Sequence, residues 1–159
     1  MKTRVGIGYD SHRFAEGDGV LLAGVLIPAA VTLIGHSDAD AVSHAVIDAI
    51  LGGAGIGDIG EMFPDTDDEN RGRDSLEMLH LAVKRVKVAG WLPSQVDVTV
   101  ITEQPSLLRH RDRMRAKLAG ALGVEPSAVM VKGKTNERMG WIGKGKGLAV
   151  IAVALLEAV

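Results

Sequence analysis

The sequence predicts an α+β fold in one domain spanning residues 1–159, with a mainly antiparallel four-stranded sheet and helices packed on one of its faces. Three observations support this prediction. Two segments, Thr3–Asp10 and Val96–Thr102, have the alternation and β-branched content of half-buried strands. Two others, beginning near Asp38 and Asp74, repeat apolar residues at helical spacing. The segments follow one another without a linker, an internal repeat or a low-complexity tract, which favours a single core.

The first half of the chain contains three short strands and a helix. Thr3–Asp10 is the first strand, and Val20–Gly24 and Val25–Leu33 are expected to be short strands. Asp38 is the expected N-cap of the first helix, because an apolar stripe at helical spacing follows it. The pair Gly52-Gly53 is expected to end that helix, since glycine is the residue most often found at helix C-termini.

The second half alternates helices with strands. A helix is predicted over Asp74–Ala89, a strand over Val96–Thr102 and a helix over Leu107–Leu122. Strand character returns at Val129–Val131. Gly147–Leu156 is apolar at almost every position, and we predict a strand that is buried on both faces.

Composition excludes several classes of protein. The 159 residues carry 18 Lys+Arg and 20 Asp+Glu, so the chain lacks the basic field that nonspecific nucleic-acid binding requires. There is no cysteine, which excludes disulfides, thiolate metal ligands and a cysteine nucleophile. The longest apolar run, Leu148–Leu156, is far shorter than the roughly 20 residues of a membrane-spanning helix. We therefore expect no nucleic-acid partner, no membrane partner and a cytoplasmic location.

Three residues have the types and spacing of a metal site. Asp10 and His12 are two residues apart, so both side chains lie on the same face of an extended strand. His44 on the first helix would complete a three-ligand site with an open fourth position, and Asp48, one turn further on, could accept its second ring proton. The alternative is that His44 is a satisfied half-buried histidine and that Asp10 caps a turn.

Two further segments have the groups that bind phosphate. His36–Asp40 precedes a helix, whose free backbone N–H groups suit an anion, although ordinary helix capping would also explain it. Lys132–Glu137 brings cations, a hydroxyl and a carboxylate together, as a diphosphate with magnesium requires, although a plain turn is the alternative. Gly55–Gly60 matches the glycine pattern of dinucleotide sites, but it follows a helix rather than a strand, so we reject that function.

The order of these motifs along the chain is more specific than any one of them. Together they resemble the 2-C-methyl-D-erythritol 2,4-cyclodiphosphate synthase family, from about residue 3 to the C-terminus. The strings that carry the resemblance are Asp10-Ser11-His12, His36-Ser37-Asp38-Ala39-Asp40 with His44, Asp58-Ile59-Gly60, Phe63-Pro64-Asp65-Thr66-Asp67, Asp97-Val98-Thr99, Thr135-Asn136-Glu137 and Gly140-Trp141.

The resemblance implies an activity and an assembly. It implies a phosphorus–oxygen lyase of the non-mevalonate isoprenoid pathway that converts 4-diphosphocytidyl-2-C-methyl-D-erythritol 2-phosphate into 2-C-methyl-D-erythritol 2,4-cyclodiphosphate and CMP. The partner is thus a small cytidine diphosphate-linked substrate. The resemblance further implies a homotrimer with active sites between adjacent subunits. Each site would use Zn²⁺ or another divalent cation and, in addition, Mg²⁺ or Mn²⁺.

The resemblance also implies roles for individual residues. The first metal would lie on Asp10, His12 and His44, the second on Glu137, and His36 and Thr135 would stabilise the transition state. The substrate-binding positions are Asp10, Ser11, His12, His36, Ser37, Asp58, Ile59, Gly60, Phe63, Pro64, Asp65, Thr66, Asp67, Thr102, Glu103, Gln104, Pro105, Ser106, Leu107, Leu108, Lys134, Thr135, Asn136, Glu137, Trp141 and Lys144. Of these, Ser37, Asp58–Gly60 and Phe63–Asp67 would line the methylerythritol phosphate site. Thr102–Leu108 and Lys134–Glu137 would surround the cytidine and its phosphates.

The chemistry is compatible with this chain. In such a reaction the substrate's own 2-phosphate is the nucleophile, so no cysteine and no catalytic triad are needed. The chain departs from the usual family pattern in three places: Lys134-Thr135-Asn136-Glu137 replaces a threonine-rich string, Lys144 replaces arginine and Trp141 replaces phenylalanine. Two other functions remain open at this point. They are a zinc-dependent hydrolase or pterin-type lyase with an activated water, and a catalytically silent trimeric binding module.

Overall fold

A computed structural model describes the whole chain, Met1–Val159. Its strands are β1 (Thr3–Glu16), β2 (Gly19–Leu22), β3 (Val25–Pro28), β4 (Val31–Leu33), β5 (Trp91–Ile101), β6 (Val129–Lys134) and β7 (Gly147–Ala158). Its α-helices are α1 (Ala41–Ala54), α2 (Ile59–Met62), α3 (Ser75–Val88), α4 (Arg111–Leu122) and α5 (Gly140–Gly143), with 3₁₀ turns at Asp68–Asn70, Leu108–His110 and Pro126–Ala128. None of these helices combines the length and the apolar character that crossing a bilayer requires.

The main sheet has five strands in the order β4-β1-β7-β5-β6. All neighbouring pairs are antiparallel except β5 and β6, which are parallel. The α+β class with a mainly antiparallel sheet is confirmed, but the predicted count of four strands is wrong. The reason is that β1 continues beyond Asp10 to Glu16, and its extra residues Phe14–Glu16 pair with Val31–Leu33. Strands β2 and β3 form a separate hairpin.

Two glycines in β1 set the distance between the sheet and α1. A Cβ atom at Gly6 would collide with the carbonyl oxygen of Ala49, and one at Gly8 with that of Ala45. Only glycine therefore allows the helix to pack directly on the strand. The side chains that alternate with these glycines point to the opposite face of the sheet, where Val5, Ile7, Tyr9 and, on β7, Val153 are exposed.

Strand β7 is buried on both faces only at its start, Gly147–Val150. The strand itself is predicted correctly, but burial on both faces is wrong for its second half, because Val153 is 41% exposed while its neighbours Ala152 and Ala154 are fully buried. The helices cover one face of the sheet and leave the other open, apolar along β1 and β7 and polar at the Lys132–Asp97 ion pair of β6 and β5.

The ends of α1 differ from the predicted ones. Its N-cap is Asp40, whose side chain accepts the backbone N–H of Ser43, and not Asp38. The helix runs through Gly52-Gly53 to Ala54. Its C-cap is Gly55, which has the left-handed φ of 73° that the cap requires. Helix α3 has Asp74 as N-cap, at the predicted start. Helix α4 begins later than predicted, since a 3₁₀ turn occupies its expected first residues.

Candidate metal centre and active site

The three predicted metal ligands converge in space. Asp10 and His12 lie on β1, and His44 lies in the first turn of α1, brought close by the tight contact of that helix with Gly8. One ligand atom from each residue lies within 4.8 Å of the others. Asp10 Oδ2 is 2.8 Å from His12 Nε2 and 3.1 Å from His44 Nδ1. Folding therefore assembles this group from residues more than thirty positions apart in the chain.

The orientation of His12 is what a metal ligand needs. Its Nδ1 lies 2.8 Å from the carbonyl oxygen of Ile34, which can only accept, so Nδ1 carries the proton and Nε2 presents a lone pair to Asp10. A lone pair and a carboxylate oxygen repel each other unless a proton or a cation lies between them. The donor set of one carboxylate and two imidazoles suits a divalent metal such as zinc and leaves a coordination position for another ligand.

The electrostatics of Asp10 and His12 are coupled. Burial disfavours the charged form of each, but the hydrogen bonds and charges of His12 and His44 outweigh it and lower the pKa of Asp10. For His12, burial likewise acts to lower the pKa, and the hydrogen bond and charge of Asp10 outweigh it, so that the pKa is raised. The pocket thus favours a positive charge beside the Asp10 carboxylate.

The predicted link between Asp48 and His44 is wrong. Asp48 Oδ1 accepts the backbone N–H of Ile59 at 2.8 Å and so holds the start of α2 against α1. His44 Nε2 instead lies 2.8 Å from Ser75 Oγ, at the start of α3, and 2.9 Å from Ser37 Oγ. Helical spacing places Asp48 and His44 on one face, but the packing of α3 on α1 decides what the ring meets.

A cavity of about 320 Å³ opens beside the three predicted metal ligands. Among the predicted site residues, it is lined by Asp10, His12, His36, Ser37, His44, Ile59, Gly60, Phe63 and Asp65. Its wall also includes Gly35, Asn70 and Met78, for which the sequence carries no chemical signal. Nε2 of His36 is buried and has no hydrogen-bond partner. Since a buried polar atom without a partner is costly, this nitrogen is free to meet a ligand in the cavity.

Other residues predicted for this side shape the loop around the cavity. Asp58 caps α2 by accepting the N–H of Glu61, and Asp67 caps a 3₁₀ turn by accepting that of Glu69. The carbonyl oxygen of Pro64 accepts a hydrogen bond from Asn70. Thr66 is exposed on the same loop.

A second cavity, of about 300 Å³, collects most of the residues predicted for the nucleotide. It is lined by Thr102, Glu103, Pro105, Ser106, Leu107, Leu108, Lys134 and Thr135. Gly133, from the predicted segment Lys132–Glu137, and Arg111, which was not predicted for this site, complete the lining. The two cavities share no residue. Gln104 and Lys144 line a neighbouring depression with Glu103, while Ser11 and Trp141 line a groove with His12.

The carboxylate of Glu103 braces the loop that follows β6. Its two oxygens accept the backbone N–H groups of Asn136, at 3.0 Å, and Arg138, at 2.7 Å. Between them the chain turns through positive φ angles, 52° at Glu137 and 60° at Arg138, which non-glycine residues rarely adopt. The side chain of Glu137 is exposed, and the structure groups it with no other metal-ligating side chains of this chain.

Comparison with known proteins decides the family. The family model described as YgbB matches residues 3–157. The chain belongs to the YgbB family. The resemblance to the cyclodiphosphate synthases inferred from the motifs is thereby confirmed. A relative from Gemmatimonas aurantiaca is 58% identical over 98% of this chain and 94% of its own, and one from Chromobacterium violaceum is 50% identical over 96% and 97%. Both are named 2-C-methyl-D-erythritol 2,4-cyclodiphosphate synthase.

Several solved structures have the same fold as this chain. The bifunctional IspDF of Campylobacter jejuni matches with a TM-score of 0.95 and 37% identity, over 99% of this chain and 43% of that one. A CDP-bound 2C-methyl-D-erythritol-2,4-cyclodiphosphate synthase matches with a TM-score of 0.88 and 36% identity, over 97% and 100%. IspF from Plasmodium falciparum, also solved with CDP, gives 0.84 and 32%, over 98% and 96%.

Proposed function

We propose that this chain closes 4-diphosphocytidyl-2-C-methyl-D-erythritol 2-phosphate into 2-C-methyl-D-erythritol 2,4-cyclodiphosphate and releases CMP, as a phosphorus–oxygen lyase of the non-mevalonate isoprenoid pathway. The observation that carries the proposal is the convergence of Asp10, His12 and His44 beside a cavity, in a chain 58% identical to a synthase of that name. The shared name of the relatives described above favours this function over the two alternatives raised from the sequence.

The reaction needs positioning and charge neutralisation more than a protein nucleophile. An oxygen of the substrate's 2-phosphate attacks the β-phosphorus and forms a new phosphorus–oxygen bond. The bond from the β-phosphorus to the bridging oxygen breaks, and that oxygen leaves with CMP, so no water is consumed. Holding two phosphates of one molecule in line is a task for a preorganised site. This accords with a chain that has no cysteine and no catalytic triad.

We assign a first divalent cation, of the zinc type, to Asp10, His12 and His44. We assign Mg²⁺ or Mn²⁺ to Glu137. Such cations, when bound, would polarise the phosphates and offset their negative charge. Glu137 is exposed at the tip of a turn that Glu103 braces. Because magnesium takes few protein ligands and many phosphate oxygens, a single protein carboxylate there is sufficient.

The remaining roles follow the two cavities. His36 stabilises the transition state through its buried, unpartnered Nε2, beside the cavity that we assign to the methylerythritol phosphate. Thr135 does so from the edge of the second cavity, which we assign to cytidine and its phosphates. Lys134 adds a positive charge on that side.

A homotrimer is the assembly that we propose, with each active site between adjacent subunits. Two features support it. The two cavities have no residue in common, so one substrate can bridge a cavity on each of two subunits. The sheet also leaves an apolar patch on β1 and β7 open, with Ile7 70% exposed opposite Val153 on the neighbouring strand. In this assembly each subunit is one domain of residues 1–159, and its cytoplasmic location stays a prediction from the sequence.

The deciding experiment combines metal analysis with ³¹P NMR of the products. Purified protein is incubated with the proposed substrate, and metal content is measured on the same sample. Cyclisation gives two mutually coupled diphosphate resonances and CMP. A metal hydrolase would instead give CMP and two uncoupled monophosphates, which would overturn the proposal. A silent binding module would release no CMP and would tolerate His12→Ala without any change in function.

A further inference from the structure

Asp38 and Ser75 lie behind His44, on the side away from the metal cluster, and neither was among the predicted site residues. Ser75 is the first residue of α3 and is completely buried. Its Oγ donates a short hydrogen bond to Asp38 Oδ1, and its backbone N–H donates to Asp38 Oδ2 at 2.9 Å. The backbone N–H of Asp40 donates to Asp38 Oδ1 as well, at 3.1 Å. The carboxylate is therefore held by three donors.

This arrangement determines where the proton of the His44 ring lies. A serine hydroxyl has a single hydrogen, and an ionised carboxylate can only accept. Since the hydrogen of Ser75 Oγ is given to Asp38, the 2.8 Å contact between Ser75 Oγ and His44 Nε2 requires that Nε2–H is the donor. A neutral ring then has a lone pair on Nδ1, the atom 3.1 Å from Asp10 Oδ2.

We propose that Asp38 and Ser75 are positioning residues that hold His44 in its Nε2–H tautomer and so present Nδ1 to the metal; this rests on the metal site of the proposed function. Without them, the carboxylate of Asp10 is the strongest acceptor beside the ring, and it would draw the proton to Nδ1 and block the ligand atom. The pair acts from outside the cluster and touches no substrate.

Ser37 has a different part in the same arrangement. Its Oγ is 2.9 Å from His44 Nε2, but no carboxylate contacts Ser37, so its hydroxyl could donate or accept and does not select a tautomer. Once Ser75 has set the proton on Nε2, Ser37 Oγ can only accept from the ring. Its own hydrogen is then free for a ligand in the cavity that Ser37 lines.

The test reads the tautomer directly, in metal-free protein labelled with ¹⁵N at histidine. At alkaline pH, where imidazole rings are neutral, the ring ¹⁵N shifts separate a protonated from an unprotonated nitrogen, and a His44→Gln variant assigns the signals. We expect Nε2–H in the native protein and a shift of the population toward Nδ1–H in Ser75→Ala. Asp38→Asn, which puts an NH₂ group in place of one acceptor oxygen, is expected to shift it in the same direction and serves if Ser75→Ala does not fold.

A second measurement follows Zn²⁺ affinity by competition with a chromogenic chelator. Loss of an outer partner of a metal-bound histidine weakens metal binding by about 10- to 100-fold, so we expect a fall in this range for Ser75→Ala. Ser94→Ala is the control, because Ser94 Oγ donates a hydrogen bond to the carbonyl oxygen of Leu155 and to no residue of the cluster, and it should change neither readout.

The results of these two measurements distinguish an error in the tautomer proposal from an error in the metal site. An unchanged His44 tautomer in both variants overturns the proposal, even if zinc affinity falls, because the loss would then have another cause. A shifted tautomer with unchanged zinc affinity overturns it as well. Native protein that shows the Nε2–H tautomer but binds no Zn²⁺ would overturn the metal site of the proposed function, and with it the purpose assigned to the pair.

Discussion

The two cavities of this chain are built in opposite ways. The metal cavity takes its chemistry from side chains of β1, α1 and α3, locked by hydrogen bonds between buried or half-buried groups. Beside the second cavity, which Glu103 and Thr135 line, the carboxylate of Glu103 holds the backbone of an exposed loop in a left-handed turn. Substitutions in the metal cavity should therefore change which atoms are available to bind a metal. Substitution of Glu103 should change only the position of the loop beside the second cavity.

The largest effect should come from removing a ligand. We expect His44→Ala to lose both bound zinc and CMP release by more than about 100-fold, the upper range for loss of a mere outer partner. Metal analysis and a CMP assay on the same sample check this, with sedimentation to verify the assembly. Normal CMP release by a zinc-free variant would contradict the metal role.

A smaller effect is expected from crowding His12. A Cβ atom at Gly35 would lie 2.9 Å from His12 Cε1 and 2.9 Å from the Cβ of Ala39, so Gly35→Ala must push the ring off its position. We expect zinc affinity to fall by about 10-fold, in the range of damage to a ligand's surroundings. Gly120→Ala is the matched control, since a Cβ there meets nothing within 4 Å. It should leave zinc affinity unchanged and stabilise α4 by up to about 1 kcal/mol.

Glu103→Gln should weaken substrate binding at the second cavity without changing zinc affinity. Glutamine keeps the shape but offers one acceptor oxygen, so one of the two backbone N–H groups loses its partner. A hydrogen bond to a charged group contributes about 1.5–3 kcal/mol, and part of this should appear as a rise of about 10-fold in KM for the cytidine-linked substrate. Zinc affinity should not change. A parallel loss of zinc would contradict the separation of the two regions, and Glu125→Gln, at an exposed position, is the control.

The smallest effect is a change in stability at Asp48, which accepts a hydrogen bond from Ile59, a residue that lines the metal cavity. Burial, with the charges of Asp58 and Asp10, raises the pKa of Asp48 despite its hydrogen bond from Ile59. The folded protein thus holds this proton more tightly than the unfolded chain does, and native stability falls as pH rises through the folded pKa. Asp48→Asn removes that loss while its amide oxygen still accepts from Ile59.

Urea unfolding at two pH values measures this prediction. We expect a small gain in the free energy of unfolding of Asp48→Asn at neutral pH, and none below the ordinary carboxyl pKa of 3.8. A gain of equal size at both pH values would mean that charge is not its cause.

Much of the candidate metal site could be predicted from the sequence, because it depends on residue types and on their spacing within one strand and one helix. The two-residue spacing of Asp10 and His12 sets a common strand face, and His44 follows a helix start by a few residues. The partner of His44 could not be predicted in this way. Asp48 shares its helix face, but the actual partner, Ser75, comes from a helix that begins thirty-one residues later, and no local period reports such a contact.

The sheet shows the same division. The alternation of β5 and the apolar run of β7 predicted strands correctly, since strand formation follows the local pattern. The fifth strand of the sheet, β4, lies within the predicted strand Val25–Leu33, which the structure divides into β3 and β4. Its place in the main sheet could not be predicted, because it comes from pairing with the far end of β1. Likewise, only packing shows that Val153 faces away from the helices.

By itself, the sequence determined the family, the α+β class and the residue types that can hold a metal and phosphates, because these depend on local spacing and on chemical identity. The tertiary structure alone decided which nitrogen of His44 faces the cluster and which loop Glu103 holds. The physical reason is that a hydrogen bond has a direction. Its donor and acceptor are settled only when segments distant in the chain come within about 3 Å of each other.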